Sequence, residues 1–151
     1  MIVYRISNAA YSDDISGSGA KINGSRWNSK GVPVLYTSPF ISLALLEMLV
    51  NTNFKDYAIA LDLLYINFPE TQPITTIDLK NLKDNWKDDF EYTRFIGDEF
   101  FKQNKSLVLR VPSAVIPEEY NYLANPLHDG FNKVKIVKTK SFWPDQRLFT
   151  I

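Results

Sequence analysis

The stretch Val32-Pro-Val-Leu-Tyr-Thr-Ser-Pro-Phe-Ile-Ser-Leu-Ala-Leu-Leu-Glu-Met-Leu-Val50 decides the fold class. Its first six residues, Val32–Thr37, read as a strand with Pro33 near the start, where a missing N–H is tolerated. Ser38 then reads as a helix N-cap, with Pro39 at the first helical position. Phe40–Val50 is apolar almost all round, which predicts a buried helix. A strand feeding directly into a buried helix, in a chain whose other apolar runs are mostly strand-like, points to α+β.

Working outward, Ile2–Ile6 reads as a first strand and the polar stretch after it, to Lys30, as loop. Gly17, Gly19, Gly24 and Gly31 crowd its second half, which predicts irregular backbone. Tyr57–Phe68 is a long apolar strand ended by Pro69. Residues 71–89 are polar, with short helical pieces around Leu79–Trp86. Phe90–Gln103 has the period of an amphipathic helix, with Phe90, Phe95 or Ile96, Phe100 and Phe101 as its apolar members. Gly97 weakens that helix by ~1 kcal/mol relative to Ala. Ser106–Val111 reads as a strand, Asn121–Asp129 as a loop, Lys133–Lys140 as a half-exposed strand and Arg147–Ile151 as a last strand. No repeat or linker divides the chain, so residues 1–151 are expected to form one domain.

Composition excludes whole classes of chemistry. The 151 residues contain no cysteine and one histidine, His128. Disulfides, thiolate metal sites, a cysteine nucleophile and multi-histidine zinc sites are therefore ruled out. Lys+Arg and Asp+Glu both number 17, which argues against binding nucleic acid or an anionic membrane by bulk charge. No export signal or spanning segment is visible, so the expected compartment is the cytoplasm.

Glu47 is the most informative single residue. A carboxylate in an apolar helix must be paired, solvated or shifted in pKa. Two readings stand: a narrow solvated stripe shared with Asn51, or a pocket carboxylate facing a cation. Arg26, in Gly24-Ser-Arg-Trp-Asn28, is the natural cation, because a guanidinium on a Gly-bounded loop can clamp a phosphate or a diol with two bonds. Tyr36, at the end of the strand before the helix, offers a ring face and a hydroxyl, although a surface-loop arginine and a half-buried strand aromatic are the more frequent cases at two such positions. Ser113 follows Pro112 at a strand end and His128 lies in a loop. Neither shows an acid–base partner, and each reads first as a turn or hydrogen-bonded loop residue. The glycines match neither a P-loop nor a dinucleotide-binding fingerprint.

Taken in order, these residues resemble the RES domain, the toxin half of RES–Xre toxin–antitoxin systems. The family's arginine, glutamate and serine correspond to Arg26 in Gly24-Ser-Arg-Trp-Asn-Ser-Lys-Gly31, Glu47 in Ser42-Leu-Ala-Leu-Leu-Glu-Met-Leu-Val50, and Ser113 in Val111-Pro-Ser-Ala-Val-Ile-Pro117. Tyr36 in Val34-Leu-Tyr-Thr-Ser38 matches the family's strand tyrosine. The likeness runs from Tyr4-Arg5 through Asn125-Pro-Leu-His128 to Asp145-Gln-Arg-Leu148. Two departures stand out. Gly24-Ser25 replaces a glycine pair, and Thr93-Arg94 with Gly97-Asp98 replaces a Thr-Gln…Gly-Asp-Trp-like segment.

The resemblance implies an ADP-ribosyltransferase-like split, mainly antiparallel sheet with flanking helices and an NAD-binding cleft. It implies a toxin that degrades NAD+ at the nicotinamide–ribose bond, by hydrolysis or phosphorolysis. Transfer of ADP-ribose to a macromolecule and a catalytically idle interaction module are the alternatives. On this reading Arg26, Tyr36 and Glu47 are catalytic, and Ser113 joins Arg26 and Tyr36 in holding substrate. NAD+ is substrate rather than cofactor, and neither metal nor resident cofactor is called for. The implied partner is an Xre-like helix-turn-helix antitoxin that supplies DNA binding. Blocking is the simplest way to silence an open cleft, so a terminal segment of that antitoxin is expected in the pocket lined by Arg26 and Glu47. Homo-oligomerisation within that complex is left open.

Overall fold

Strand pairing divides the chain into two sheets. In the computed structural model, which describes residues 1–52 and 59–149, β1 (Ile2–Asn8), β3 (Leu61–Asn67) and β7 (Lys135–Phe142) form an antiparallel sheet in that order. The second sheet runs β2 (Leu35–Thr37), β6 (Tyr120–Ala124), β5 (Val108–Pro112) and β4 (Ile74–Thr76). Only the β4–β5 pair in it is parallel. Between the sheets, Tyr4 N–H donates to Ser38 O (2.8 Å) and Ser38 N–H to Tyr4 O (2.9 Å). This is the split, mainly antiparallel α+β arrangement expected from the sequence. Helices α1 (Ser18–Asn23), α2 (Ile41–Asn51) and α3 (Phe90–Gln103) flank it.

The period-2 alternation of the second sheet feeds two cores. Leu35, Ala124 and Val108 form one cross-strand row. They pack with Val3, Leu64, Ile66 and Phe68 of the first sheet's side. The next row, Tyr36, Leu123 and Leu109, faces the other way. It joins Trp27, Val34, Trp86 and Phe101. Asn121 and Val111 pair two positions further along, on the same face as Tyr36. The second core therefore ends in a polar corner.

Several sequence expectations are corrected. Asn121–Asp129 does not begin as loop: Tyr120–Ala124 is β6, a central strand between β2 and β5. Its Tyr-Asn-Tyr-Leu-Ala pattern alternates, but the asparagine disguises the buried face. The glycine-rich stretch contains the one-and-a-half-turn helix α1. Gly17 before it adopts φ 76° with its Cα against Val34, where a Cβ would lie 2.6 Å from Val34 N. Ser38 is not the cap of α2, which starts after Phe40 without a side-chain cap, because its backbone and hydroxyl are used across the split. Nor is the expected helix, Phe40–Val50, buried all round: Leu43 and Ala44 are buried, whereas Phe40 and Val50 are exposed.

The first strand is longer than expected, and β2 covers only the end of Val32–Thr37. β3 starts at Leu61; residues 57 and 58 of the expected strand lie outside the described residues. β4, in the polar stretch, was not anticipated. Gln146–Phe149 is a 3-10 turn rather than a strand, and residues 150 and 151 lie outside the described residues. α3 spans the expected residues, but Phe95 points to solvent. No helix of the described residues is long and apolar enough to cross a membrane.

Candidate active site

Glu47 projects from α2 toward the polar corner of the second sheet. Its Oε1 accepts two bonds of 2.7 Å, from Ser113 Oγ and from Asn121 Nδ2. Both donors are themselves fixed. Ser113, fully buried just past β5, accepts at Oγ from the N–H groups of Val115 and Ile116 (3.1 Å each). Asn121 accepts at Oδ1 from Ser38 Oγ (2.7 Å). Hydrogen bonds to an ionised acceptor are about twice as strong as neutral ones, so this network sets the carboxylate's orientation. Among the described residues no donor reaches Oε2.

Arg26 and Tyr36 are placed by α3. The 25–29 loop closes on itself through Ser25 N–H to Asn28 O (3.0 Å). The helix grips it residue by residue: Thr93 Oγ1 donates to Arg26 O (2.6 Å) and Arg94 Nε to Ser25 O (2.7 Å). Asp98 accepts from Ser29 N–H and Oγ. Gly97 lies so close to Trp27 that a Cβ would sit 1.7 Å from its carbonyl oxygen. Inside the loop, buried Asn28 donates from Nδ2 to Ala20 O, Ser29 O and Val32 O. It accepts at Oδ1 from the Tyr36 hydroxyl (2.7 Å). That hydroxyl also accepts from Trp27 N–H (3.1 Å). Burial pushes the Tyr36 pKa far above its usual value, so the phenol stays neutral and its ring orientation is set by the loop.

The Arg26 guanidinium lies over Phe90 (4.6 Å) and Trp86 (5.7 Å), and its Nη1 donates to Lys87 O (2.7 Å). Burial lowers its pKa, with the Glu47 charge acting the other way. An arginine remains cationic under such a shift. Nε and Nη2 have no hydrogen-bond partner among the described residues.

Two hollows meet at Glu47. The smaller, about 110 Å³, is lined by Arg26, Trp27, Tyr36, Phe90, Val111, Pro112, Ala114 and Val115. The larger, about 740 Å³, opens along the split between β1 and β2 and reaches Asn8, Asp14 and α1. Ser25, Tyr36, Glu47, Asn51 and Asn121 line both. In the larger one, Arg5 crosses the split to donate from Nη1 to Tyr36 O (3.1 Å). Its burial lowers the guanidinium pKa, against the nearby Asp14 charge.

The structure thus brings Arg26, Tyr36, Glu47 and Ser113 to one corner, with two corrections to their expected pairing. Arg26 makes no ion pair with Glu47 among the described residues. Ser113 lines neither hollow; it stands behind Glu47 and fixes it. His128 caps a 3-10 turn by accepting from Gly130 N–H at Nδ1 (2.9 Å). Sequence reasoning missed Asn121 and Arg5. Asn121 was hidden by the loop assignment, although the Tyr-Asn-Tyr alternation signals a strand. Ser113→Ala is expected to cost about 1–3 kcal/mol, because Val115 N–H, Ile116 N–H and Glu47 Oε1 each lose a buried partner. An unchanged urea midpoint would show that water replaces the hydroxyl.

The RES domain profile matches residues 2–146 of this sequence. The chain belongs to the RES domain family. Two RES relatives, both named Toxin Res, are 38% identical: one from Photorhabdus laumondii, covering 98% of this chain and 97% of the relative, and one from Pseudomonas putida, covering 99% and 100%. A third, from a Sphingobium strain, is called Prs ADP-ribosylating toxin and is 31% identical over 90% of this chain and 87% of its own. By this kinship the chain is a RES toxin. A chain of the crystal structure of the M. tuberculosis MbcT–MbcA toxin–antitoxin complex superposes with a TM-score of 0.73 at 18% identity. The match covers 93% of this chain and 83% of that one. The RES fold here is accordingly ADP-ribosyltransferase-like.

Proposed function

We propose that this RES toxin cleaves the bond between nicotinamide and ribose in NAD+. The observation that carries the reading is a carboxylate anchored by one oxygen, with no donor to the other among the described residues, at the junction of two hollows of unequal size. The smaller hollow, walled by Tyr36, Trp27 and Phe90, suits the flat nicotinamide ring. The larger one suits the ADP portion, with the Arg5 cation available to the diphosphate. The junction is then where the nicotinamide ribose sits, with its 2′-hydroxyl donating to Glu47 Oε2.

In this pose the C1′–N1 bond breaks and its electron pair returns to the ring nitrogen, so nicotinamide leaves neutral. Positive charge develops on the ribose, as in glycoside cleavage. A carboxylate held in place beforehand stabilises that charge without reorganising. An acceptor oxygen then bonds to C1′, and the proton it carries passes to solvent water. Tyr36 presents its ring face to nicotinamide, and Arg26, in the wall of the smaller hollow, has Nε and Nη2 available to oxygens of the nicotinamide ribose. No resident cofactor enters this scheme. We further propose an Xre-like antitoxin as the silencing partner, supported by the fold neighbour having been solved as a toxin–antitoxin complex.

A second reading, ADP-ribosyl transfer to a macromolecule, differs only in the acceptor and is supported by the name of the Sphingobium relative. Incubating the purified protein with NAD+, with and without phosphate and a candidate acceptor protein, tests both. ADP-ribose means hydrolysis, ADP-ribose 1″-phosphate means phosphorolysis and a mass-labelled protein means transfer. Intact NAD+ under every condition overturns the proposal. Arg26→Lys is expected to lose at least about tenfold in activity, because an ammonium keeps the charge but neither the planar fork nor the stack on Phe90. A lysine variant as active as the parent would remove the bidentate role.

A further inference from the structure

We infer that Asp14 selects NAD+ over NADP+, by accepting hydrogen bonds from the adenosine ribose diol and excluding a 2′-phosphate. The inference rests on the NAD+ reading above and adds which dinucleotide the cleft admits.

Three charged residues line the larger hollow among the described residues: Glu47, Arg5 and Asp14. Glu47 marks its junction with the smaller hollow, and Asp14 lines only the larger one. Arg5 is tied to β2 through Tyr36 O and carries an electrostatic interaction with Asp14. Two carboxylates and one guanidinium match the chemistry of a dinucleotide, which presents two ribose diols and one diphosphate. With the nicotinamide ribose on Glu47 and the diphosphate on Arg5, the remaining carboxylate falls to the adenosine ribose. A carboxylate reads that diol elsewhere among dinucleotide-binding folds, where a 2′-phosphate is received by arginine instead. Here no second arginine or lysine lines the larger hollow among the described residues.

Asp14 is also held for the task. Its Oδ1 accepts from Ser16 N–H and its Oδ2 from Ser18 Oγ, both at 2.9 Å. These bonds hold its pKa below the usual carboxylate value. Each oxygen keeps a further lone-pair direction for a ligand hydroxyl. The side chain stands exposed at the rim, so its repulsion of a phosphate is open to screening by salt.

The test is equilibrium binding of ADP-ribose and of its 2′-phosphate to the purified protein, alongside consumption of NAD+ and NADP+. The parent should bind ADP-ribose at least about tenfold more tightly than the phosphorylated ligand at low salt, from repulsion between near charges. That preference should shrink as salt is raised. Asp14→Asn keeps the shape and one acceptor oxygen but loses the charge. It should bring the two affinities within about threefold, mainly by improving the 2′-phosphate ligand, with the same change in the KM for NADP+. Equal affinities in the parent, or an unchanged ratio in the variant while ADP-ribose still binds, overturn the role of Asp14 and leave the NAD+ reading standing. Failure of both ligands to bind and of both dinucleotides to react overturns the NAD+ reading and this inference with it.

Discussion

Glu47→Gln will yield a folded protein whose rate of NAD+ loss is down by about 10²–10³-fold, the usual cost of removing one electrostatic stabiliser of a transition state. The structure explains why the fold should survive. The amide oxygen can take the place of Oε1 and accept from Ser113 and Asn121 as the carboxylate does. The NH2 group then replaces Oε2, the oxygen with no donor among the described residues. The variant therefore replaces a charged acceptor facing the substrate by a neutral donor and leaves the corner's own bonds in place. Measured kcat should fall by a much larger factor than KM for NAD+ rises, since the bond to the 2′-hydroxyl is already made in the bound substrate and strengthens as charge develops on the ribose. A glutamine variant with parental turnover would reduce Glu47 to a structural residue of the corner.

Gly97→Ala will be the most damaging substitution outside the site, and its sign opposes helix propensity. In an exposed helix, exchanging glycine for alanine gains about 1 kcal/mol. Here the new Cβ would stand 1.7 Å from Trp27 O, so α3 must retreat from the loop that carries Arg26. Retreat would stretch the Thr93, Arg94 and Asp98 bonds together. A destabilisation of roughly 3 kcal/mol, at the upper end of overpacking costs, corresponds to a melting temperature lower by about 6–12 °C for a chain of this length. Gly19→Ala is the control. It is a helical glycine where an added Cβ would meet nothing within 4 Å among the described residues, and the change should be neutral or slightly stabilising. Equal melting temperatures for the two variants would show that α3 shifts freely.

The same glycine shows where sequence reasoning reaches its limit. Along α3 the apolar period was legible from Phe90 to Gln103, and so were its ends. Gly97 read only as a weakness, because its reason is a backbone in another segment. Strands with apolar alternation, β1 and β3, were legible as well, although their exact ends were not. β6 was lost because Asn121 occupies a position that faces Glu47 instead of a hydrophobic core. β4, with three exposed residues, has no burial pattern to announce it.

For the site, sequence alone determined the chemical cast. It excluded thiol and multi-histidine chemistry, singled out a carboxylate in an apolar helix, and matched Arg26, Tyr36, Glu47 and Ser113 to one family in order. Only the tertiary structure decided how they meet. Ser113 and Asn121 converge on Glu47 from 66 and 74 residues away, while Arg26 turns aside onto Phe90 and Lys87 O. Local periodicity records which face of an element is buried. It does not record which distant donor a polar side chain will find, because that pairing is settled when the two sheets close around the split.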